Sequence, residues 1–386
     1  GVGASAAAIT VNNTDGTCTA NITNNKNKNL IINGSMIVAQ RGTSSTDDNY
    51  QTVDRFDIED AGTDEACTRE QASVASGTTP YSLGFRKCLK ITNGNQTSGA
   101  GASDYVQISY KPEAQDIARS GWNYNSTSSF ITLSFWIKSS VAQAFSGSIR
   151  TADGTQQSFK FDTPSLSANT WTKVTKTIPG NSNLTFNEDN GKGLDIFLYP
   201  FIGTTFTSSN SNTETWISAS GDTYANDMTS TWYTTNDATL EVTGYQLEVG
   251  SFATDFEHRS FAQELALCQR YCYVLIRHDG SMTGAFSLGG TGSFYSPDNV
   301  YMSINFPVTM RATPTFSCVN KTNALRFPSA GSSRQLPTLT MTHAHSNACT
   351  LYGITTTTTS AGNAANSIFD AGNTTEGDGI FFFAEL

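Results

Sequence analysis

His343-Ala-His345 is the nearest thing to a metal-ligand pair in this chain. Side chains two apart on a strand share a face, so both imidazoles would point the same way. Three copies around a three-fold axis would offer six nitrogens, enough for an octahedral transition metal. A single pair also suits surface or hydrogen-bonded histidines, the simpler reading, and no metal or cofactor is expected. Cys268 and Cys272 fall one helical turn apart, but a zinc site needs two further ligands, and both cysteines belong to an apolar stripe. Asn187-Glu-Asp-Asn-Gly-Lys-Gly193, with Asp195 beyond it, is an oxygen-rich turn without the spacing of a defined calcium loop. A solvated turn is the plainer reading.

Catalysis leaves no local mark. The four histidines stand at 258, 278, 343 and 345, and the chain has no Gly-x-Ser-x-Gly elbow, His-Glu-x-x-His helix or phosphate loop. Paired carboxylates on strands leave no signature in sequence, so glycan cleavage stays open as an alternative, but the expectation is no enzyme.

Aromatic residues in polar company are the better candidates for ligand contact. A sugar's C–H face stacks on a ring while its hydroxyls need polar neighbours. Trp136 alternates with Leu133 and Phe135 and shares its strand face with Thr132, Ser134 and Lys138. Trp122, Tyr124, Trp216, Trp232 and Tyr233 stand in or beside segments rich in Ser, Thr and Asn. For each of the six, packing in a core or against another subunit is the competing reading.

Strands must position these side chains. Residues 129–139 alternate apolar and polar with period two, the mark of a half-buried strand. Residues 147–161 carry Asp153-Gly154 between two strand-like arms, a type I′ hairpin signal. Further strands are expected at 171–178, 194–201 and 239–249, separated by loops rich in Asn, Gly and Ser. About ten such segments suggest an antiparallel jelly-roll sandwich. One segment differs: Phe261, Leu265, Cys268, Cys272 and Leu275 recur at helical spacing after Ser260, whose partner Gln263 completes a capping box. The expected organisation is an all-β chain with an arm or linker at 1–28, a sandwich at 29–258, a linking helix at 259–276 and a smaller β domain at 277–386.

Composition narrows the function classes. Lys plus Arg number 23 against 33 Asp plus Glu, a net charge of −10 with no basic run, which disfavours nucleic-acid binding. No stretch approaches a membrane span, and no signal-peptide pattern opens the chain. The chain starts at Gly1 rather than Met, read as a sign that something upstream was removed. Seven irregularly spaced cysteines suit reduced, mostly buried thiols better than a disulfide framework, although Cys67 with Cys88 or Cys318 with Cys349 could pair if their strands adjoin.

Asn29-Leu-Ile-Ile-Asn-Gly34, Ala39-Gln-Arg-Gly42 and Val53-Asp-Arg-Phe56 resemble the start of a module found in tail-fibre and other virion-surface proteins of bacteriophages, notably those of marine bacteria. Gly244-Tyr-Gln-Leu-Glu-Val-Gly250, Phe256-Glu-His-Arg-Ser260 and Glu264-Leu-Ala-Leu-Cys-Gln-Arg-Tyr271 resemble its other end. These motifs are fold landmarks rather than catalytic residues, and His258 belongs to one of them. The resemblance implies a carbohydrate-binding-like jelly roll in a non-enzymatic, homotrimeric tail fibre or fibre-like appendage on the virion surface. It implies contact with host surface glycan and with other virion proteins through the N-terminal arm. Capsid decoration, a head fibre and a glycan depolymerase are the alternatives. His343 and His345 also resemble the paired-histidine sites of some fibre needle tips, which repeat the pair many times.

Overall fold

The computed structural model describes residues 9–11, 18–20, 28–207, 213–318, 324–329 and 332–386. The arm expected at 1–28 lies outside them, apart from Lys28 and a short antiparallel pair, Ile9–Val11 with Cys18–Ala20.

Alternating apolar residues drive two six-stranded antiparallel sheets together as a jelly-roll sandwich. In spatial order the front sheet runs Thr172–Pro179, Phe130–Ser139, Thr239–Val249, Lys87–Thr92, Thr68–Ser73 and Ser44–Ser45. The back sheet runs Trp216–Ser218, Gln157–Asp162, Ser146–Thr151, Leu194–Ile202, Tyr105–Tyr110 and Phe56–Ala61. Ile131, Leu133, Phe135 and Ile137 of the front sheet share one core with Ile149, Phe159, Phe161, Ile196 and Leu198 of the back sheet.

Two local expectations are corrected. The hairpin around Asp153-Gly154 forms, but its last paired residues are Arg150 and Ser158, so the connection is longer than a two-residue type I′ turn. The helix covers only Phe261–Gln269, after the expected Ser260–Gln263 capping box. Cys272 and Leu275 belong instead to the strand Cys272–Arg277, whose backbone pairs with Gly379–Phe383. Strand pairing with a distant segment overrides the helical period. The stripe is buried only in part: Cys268 is buried and Leu265 half-buried, but Phe261 is exposed and the charged Glu264 is buried instead. Glu264 Oε1 accepts from the Asn33 amide and from Arg259, which brings the charged residue inward.

Beyond the helix a second core forms under a six-stranded distal sheet, ordered Leu325–Arg326, Ala364–Asp370, Ala285–Phe294, Asn299–Asn305, Ala348–Ile354 and Thr340–His345. A three-stranded sheet, Cys272–Arg277, Gly379–Phe383 and Thr315–Cys318, packs on the same core.

The motifs at the two ends of the sandwich meet as a clasp. Asn29 Nδ2 donates to the Tyr245 carbonyl at 3.0 Å, and Asn29 Oδ1 accepts from the Ile31 and Leu247 amides. Arg259 donates to the carbonyls of Asn29 and Ile31. Gly34 is required where the strands close, because a Cβ there would stand 2.0 Å from the Tyr245 carbonyl oxygen. Asn33 stands at φ 60° and is fully buried, with its side-chain Nδ2 donating to the Val38 and Asp54 carbonyls.

The oxygen-rich turn at 187–193 is a seam. Its Asp189 and Gly191 carbonyls accept from Gln115 and Ala114, and Arg311 Nη1 donates to the Asn190 carbonyl at 3.0 Å. No helix among the described residues is long and apolar enough to cross a membrane.

Candidate functional site: an aromatic pocket at Trp136

Trp136 sits near the middle of the strand Phe130–Ser139, on the side away from the core. Lys173 and Thr243 flank it in register on the two neighbouring strands. The ring is half-buried, because the expected open face is partly roofed. Thr132 and Ser134 are buried on this side, with Thr132 Oγ1 donating to the Gly250 carbonyl at 2.8 Å. Lys138 is drawn sideways to Glu241, at 2.8 Å, and lies over Trp171.

A β-bulge opens the pocket. The strand Thr239–Val249 loses register between Thr243 and Gln246, and Gly244 takes φ +68° there. A Cβ on Gly244 would meet Phe85 Cζ at 2.8 Å and Trp136 Cδ1 at 3.2 Å, so glycine lets both rings approach the backbone. Phe85, buried by the turn after the short helix Thr79–Ser82, lies edge-on to Phe256 at 4.9 Å between centroids. The His258 ring completes the cluster, 5.1 Å from Phe85 and 4.9 Å from Phe256.

His258 Nε2 lies 2.9 Å from the Leu83 carbonyl, which can only accept, so Nε2 donates there and fixes the ring. The segment carrying Thr254 is held from below: buried Glu248 accepts from the Thr254 amide at 2.8 Å and from its hydroxyl at 2.6 Å. The result is a cleft of about 270 Å³, lined by Trp136, Phe85 and Phe256 with Ser134, Lys173, Thr254, Asp255 and His258 around them. This falls just under the ~300–1,000 Å³ of pockets that enclose a drug-sized ligand, and its size suits one small ring. An apolar floor with a hydroxyl, an ammonium, a carboxylate and an imidazole around it can stack a ring and hydrogen-bond its substituents.

Four of the other five aromatic candidates are corrected by their burial. Trp122 is in the sandwich core, its Nε1 donating to the Ser129 carbonyl at 3.3 Å. Trp216 is buried with Nε1 2.7 Å from the Pro179 carbonyl. Trp232 and Tyr233 are fully buried, and Tyr233 stacks on Phe201 at 4.4 Å. Tyr124 is half-buried and edge-on to Phe186. Four of the five are buried among Ser, Thr and Asn neighbours, so polar neighbours in sequence do not mean water in space. The structure brings none of the five to the Trp136 pocket.

The strand that carries the exposed histidine pair is irregular. A register shift between Thr342 and His345, with His343 at φ 45°, means that the two-residue alternation of a regular strand does not by itself place both rings on one face. No group of three or more metal-ligating residues forms among the described residues. Cys67, Cys88, Cys268, Cys272, Cys318 and Cys349 are free thiols, so neither considered disulfide forms. Burial pushes the Cys67, Cys88 and Cys318 thiols up to about 12.

Sequence reasoning missed Phe85 and Phe256, and assigned His258 to structure alone. Only the nearness of His258 to the Phe256 motif and of Gly244 to a strand interior signalled the site. The outer face of the back sheet carries an aromatic cluster of its own. There Phe206, Tyr224, Ala225 and Met228 pack over Phe197, Tyr199 and Ile202, and the Arg150 guanidinium lies 3.7 Å from the Tyr224 ring centre.

No protein-family model and no curated protein matches the chain. Solved structures similar to it include the enzymatically active domain of a tailspike protein of bacteriophage CBA120, with 10% identity, a TM-score of 0.31, and coverage of 58% of this chain and 22% of that one. The chain thus spans about a fifth of the tailspike chain. A putative sugar binding protein from Bacteroides thetaiotaomicron has 11% identity, a TM-score of 0.31, and coverage of 57% and 100%. A family 11 carbohydrate-binding module of a Clostridium thermocellum cellulase has 13% identity, a TM-score of 0.24, and coverage of 57% and 99%. Likenesses this distant carry no functional conclusion.

Proposed function

We propose that this chain is a non-enzymatic surface component of a bacteriophage particle, a homotrimeric tail fibre or fibre-like appendage, and that it holds host-surface glycan in the Trp136 pocket. The observation that carries the binding reading is the pocket itself: a half-buried indole, two phenyl rings and a ring of polar side chains around a cleft of about 270 Å³. The motifs through which the chain resembles phage fibre modules supply Gly244, Phe256 and His258 to that pocket, which ties the two halves of the reading together. One small pocket binds weakly, and several copies on a particle would raise avidity roughly 100-fold or more.

The test is a host-glycan array with the wild-type chain and Trp136→Ala, together with mass spectrometry of purified phage particles. Binding that disappears in the variant while the circular dichroism spectrum is unchanged supports the site. Binding that persists in the variant, or absence of the chain from particles, rejects the corresponding half. Incubation with host capsule or lipopolysaccharide separates the alternative of a depolymerase, which would release new reducing ends.

A further inference from the structure

The distal sheet presents a second aromatic surface. Its inward residues Val300, Met302, Ile304, Cys349 and Leu351 fill the second core. Alternation therefore turns the residues between them outward. Tyr301 pairs in register with Tyr352, and their ring centroids stand 5.0 Å apart. Tyr295, at the hairpin tip, is 77% exposed and meets Tyr301 edge-on at 5.8 Å. The Tyr352 hydroxyl is held 3.2 Å from Asn299 Oδ1, which fixes that ring.

The two central register rows of this face are uncharged and rich in hydroxyls. The register row through Tyr301 and Tyr352 runs from Ser293 to Thr340, and the next carries Ser303, Thr350 and Thr342. None of these side chains is charged, in a chain whose net charge is −10. Ser293, Ser303 and Thr340 are exposed. A protein partner would need a continuous apolar centre to its interface, whereas in these two rows the only large apolar surface is that of the tyrosine rings. An anionic or cationic ligand would find no countercharge in these rows. Tyrosine rings about 5 to 6 Å apart, tilted or edge-on to one another and set among hydroxyls, can take the C–H faces of a sugar while the hydroxyls meet its polar edges.

We infer that the Tyr295–Tyr301–Tyr352 face is a second binding site, for an uncharged oligosaccharide. It lies on a different sheet and a different core from the Trp136 pocket and does not depend on that pocket's occupancy. Two such surfaces on one chain would let successive parts of a glycan bind together, raising avidity by effective concentration.

The test uses the full chain in affinity gel electrophoresis, with gels containing each of a set of neutral polysaccharides: a glucan, a mannan, a galactan and a xylan. The expected result is retardation by at least one polysaccharide that persists in Trp136→Ala, and weakens by about tenfold or more in Tyr295→Ala and Tyr301→Ala. Tyr295 is too exposed for its loss to unfold the chain, so that variant keeps the test clean if Tyr301→Ala folds poorly. Tyr301→Trp should retain binding. The inference is overturned if Trp136→Ala is retarded by none of the four, or if Tyr295→Ala binds as well as its parent. It is equally overturned if Tyr295→Ala instead reduces the oligomer size seen by light scattering, which would make the face a contact between copies. Loss of binding in Trp136→Ala with no effect of the tyrosine variants would leave the proposed function standing and this second site rejected.

Discussion

Arg55 and Glu385, 330 residues apart in the chain, form an ion pair of 2.6 Å in which the arginine side chain is wholly buried. Arg41 reaches the other carboxylate oxygen of Glu385 at 2.8 Å, and the Arg55 guanidinium also lies 3.5 Å from the Tyr271 ring centre. A single carboxylate at the edge of the second core thus pairs with two arginines supplied by the opening motifs of the sandwich. Replacing Glu385 with Ala leaves both cations buried without it. A loss of about 3–5 kcal/mol is expected, read by urea denaturation. Because the pair joins the two cores, the variant should also split one unfolding transition into two. A single transition at unchanged midpoint would show that the cores are coupled by other contacts.

Gly244 sets the shape of the Trp136 pocket. Gly244→Ala forces a Cβ against Phe85 and Trp136 at positive φ, and should destabilise the chain by about 1–3 kcal/mol while closing the cleft. Glycan binding should fall although every pocket side chain is intact. Unchanged binding and thermal midpoint would mean that the bulge relaxes without cost.

Glu113 links the sandwich to the chain after the helix, accepting from Arg270 Nε at 2.7 Å, Arg270 Nη2 at 2.8 Å and the Tyr271 hydroxyl at 2.5 Å. Burial alone would raise its pKa, but the Arg270 and Tyr271 hydrogen bonds outweigh burial and hold the carboxyl below its usual 4.5. A group depressed in the folded state adds stability that is present above its unfolded value and lost as pH falls through the folded one. Wild-type stability should therefore drop as pH falls below about 4.5, and Glu113→Gln should lose about 1–3 kcal/mol at pH 7 and show a shallower acid slope. Parallel acid slopes in the two chains would remove Glu113 from the acid response.

The thiols offer a check on burial. With Cys67, Cys88 and Cys318 pushed up to about 12, Cys349 to about 11, and Cys268 and Cys272 raised well above the usual value, almost no thiolate exists at pH 8. Iodoacetamide should leave these six unmodified in the native chain within minutes, and alkylate all of them in 6 M guanidinium. Peptide mapping reads the outcome, and rapid native labelling of Cys268 or Cys272 would contradict the packing around the helix.

By itself the sequence determined the strand class, the two-sided character of residues 129–139 and the capping box at Ser260, because each depends on neighbours a few positions away. Ile131, Leu133, Phe135 and Ile137 had to turn one way, which left Trp136 on the other side. Tertiary structure alone decided where the helix ends, since the strand Cys272–Arg277 is made by pairing with Gly379–Phe383, more than a hundred residues later. It also decided which polar-looking loops are buried. Trp122, Trp216 and Trp232 sit among Ser, Thr and Asn in sequence, yet each fills an interior gap where segments from distant parts of the chain close over it. The Trp136 pocket gathers Phe85, Gly244 and His258, which share no spacing with Trp136 or with one another. Periodicity reports which way a side chain faces on its own element, whereas a pocket depends on what the rest of the chain places opposite it.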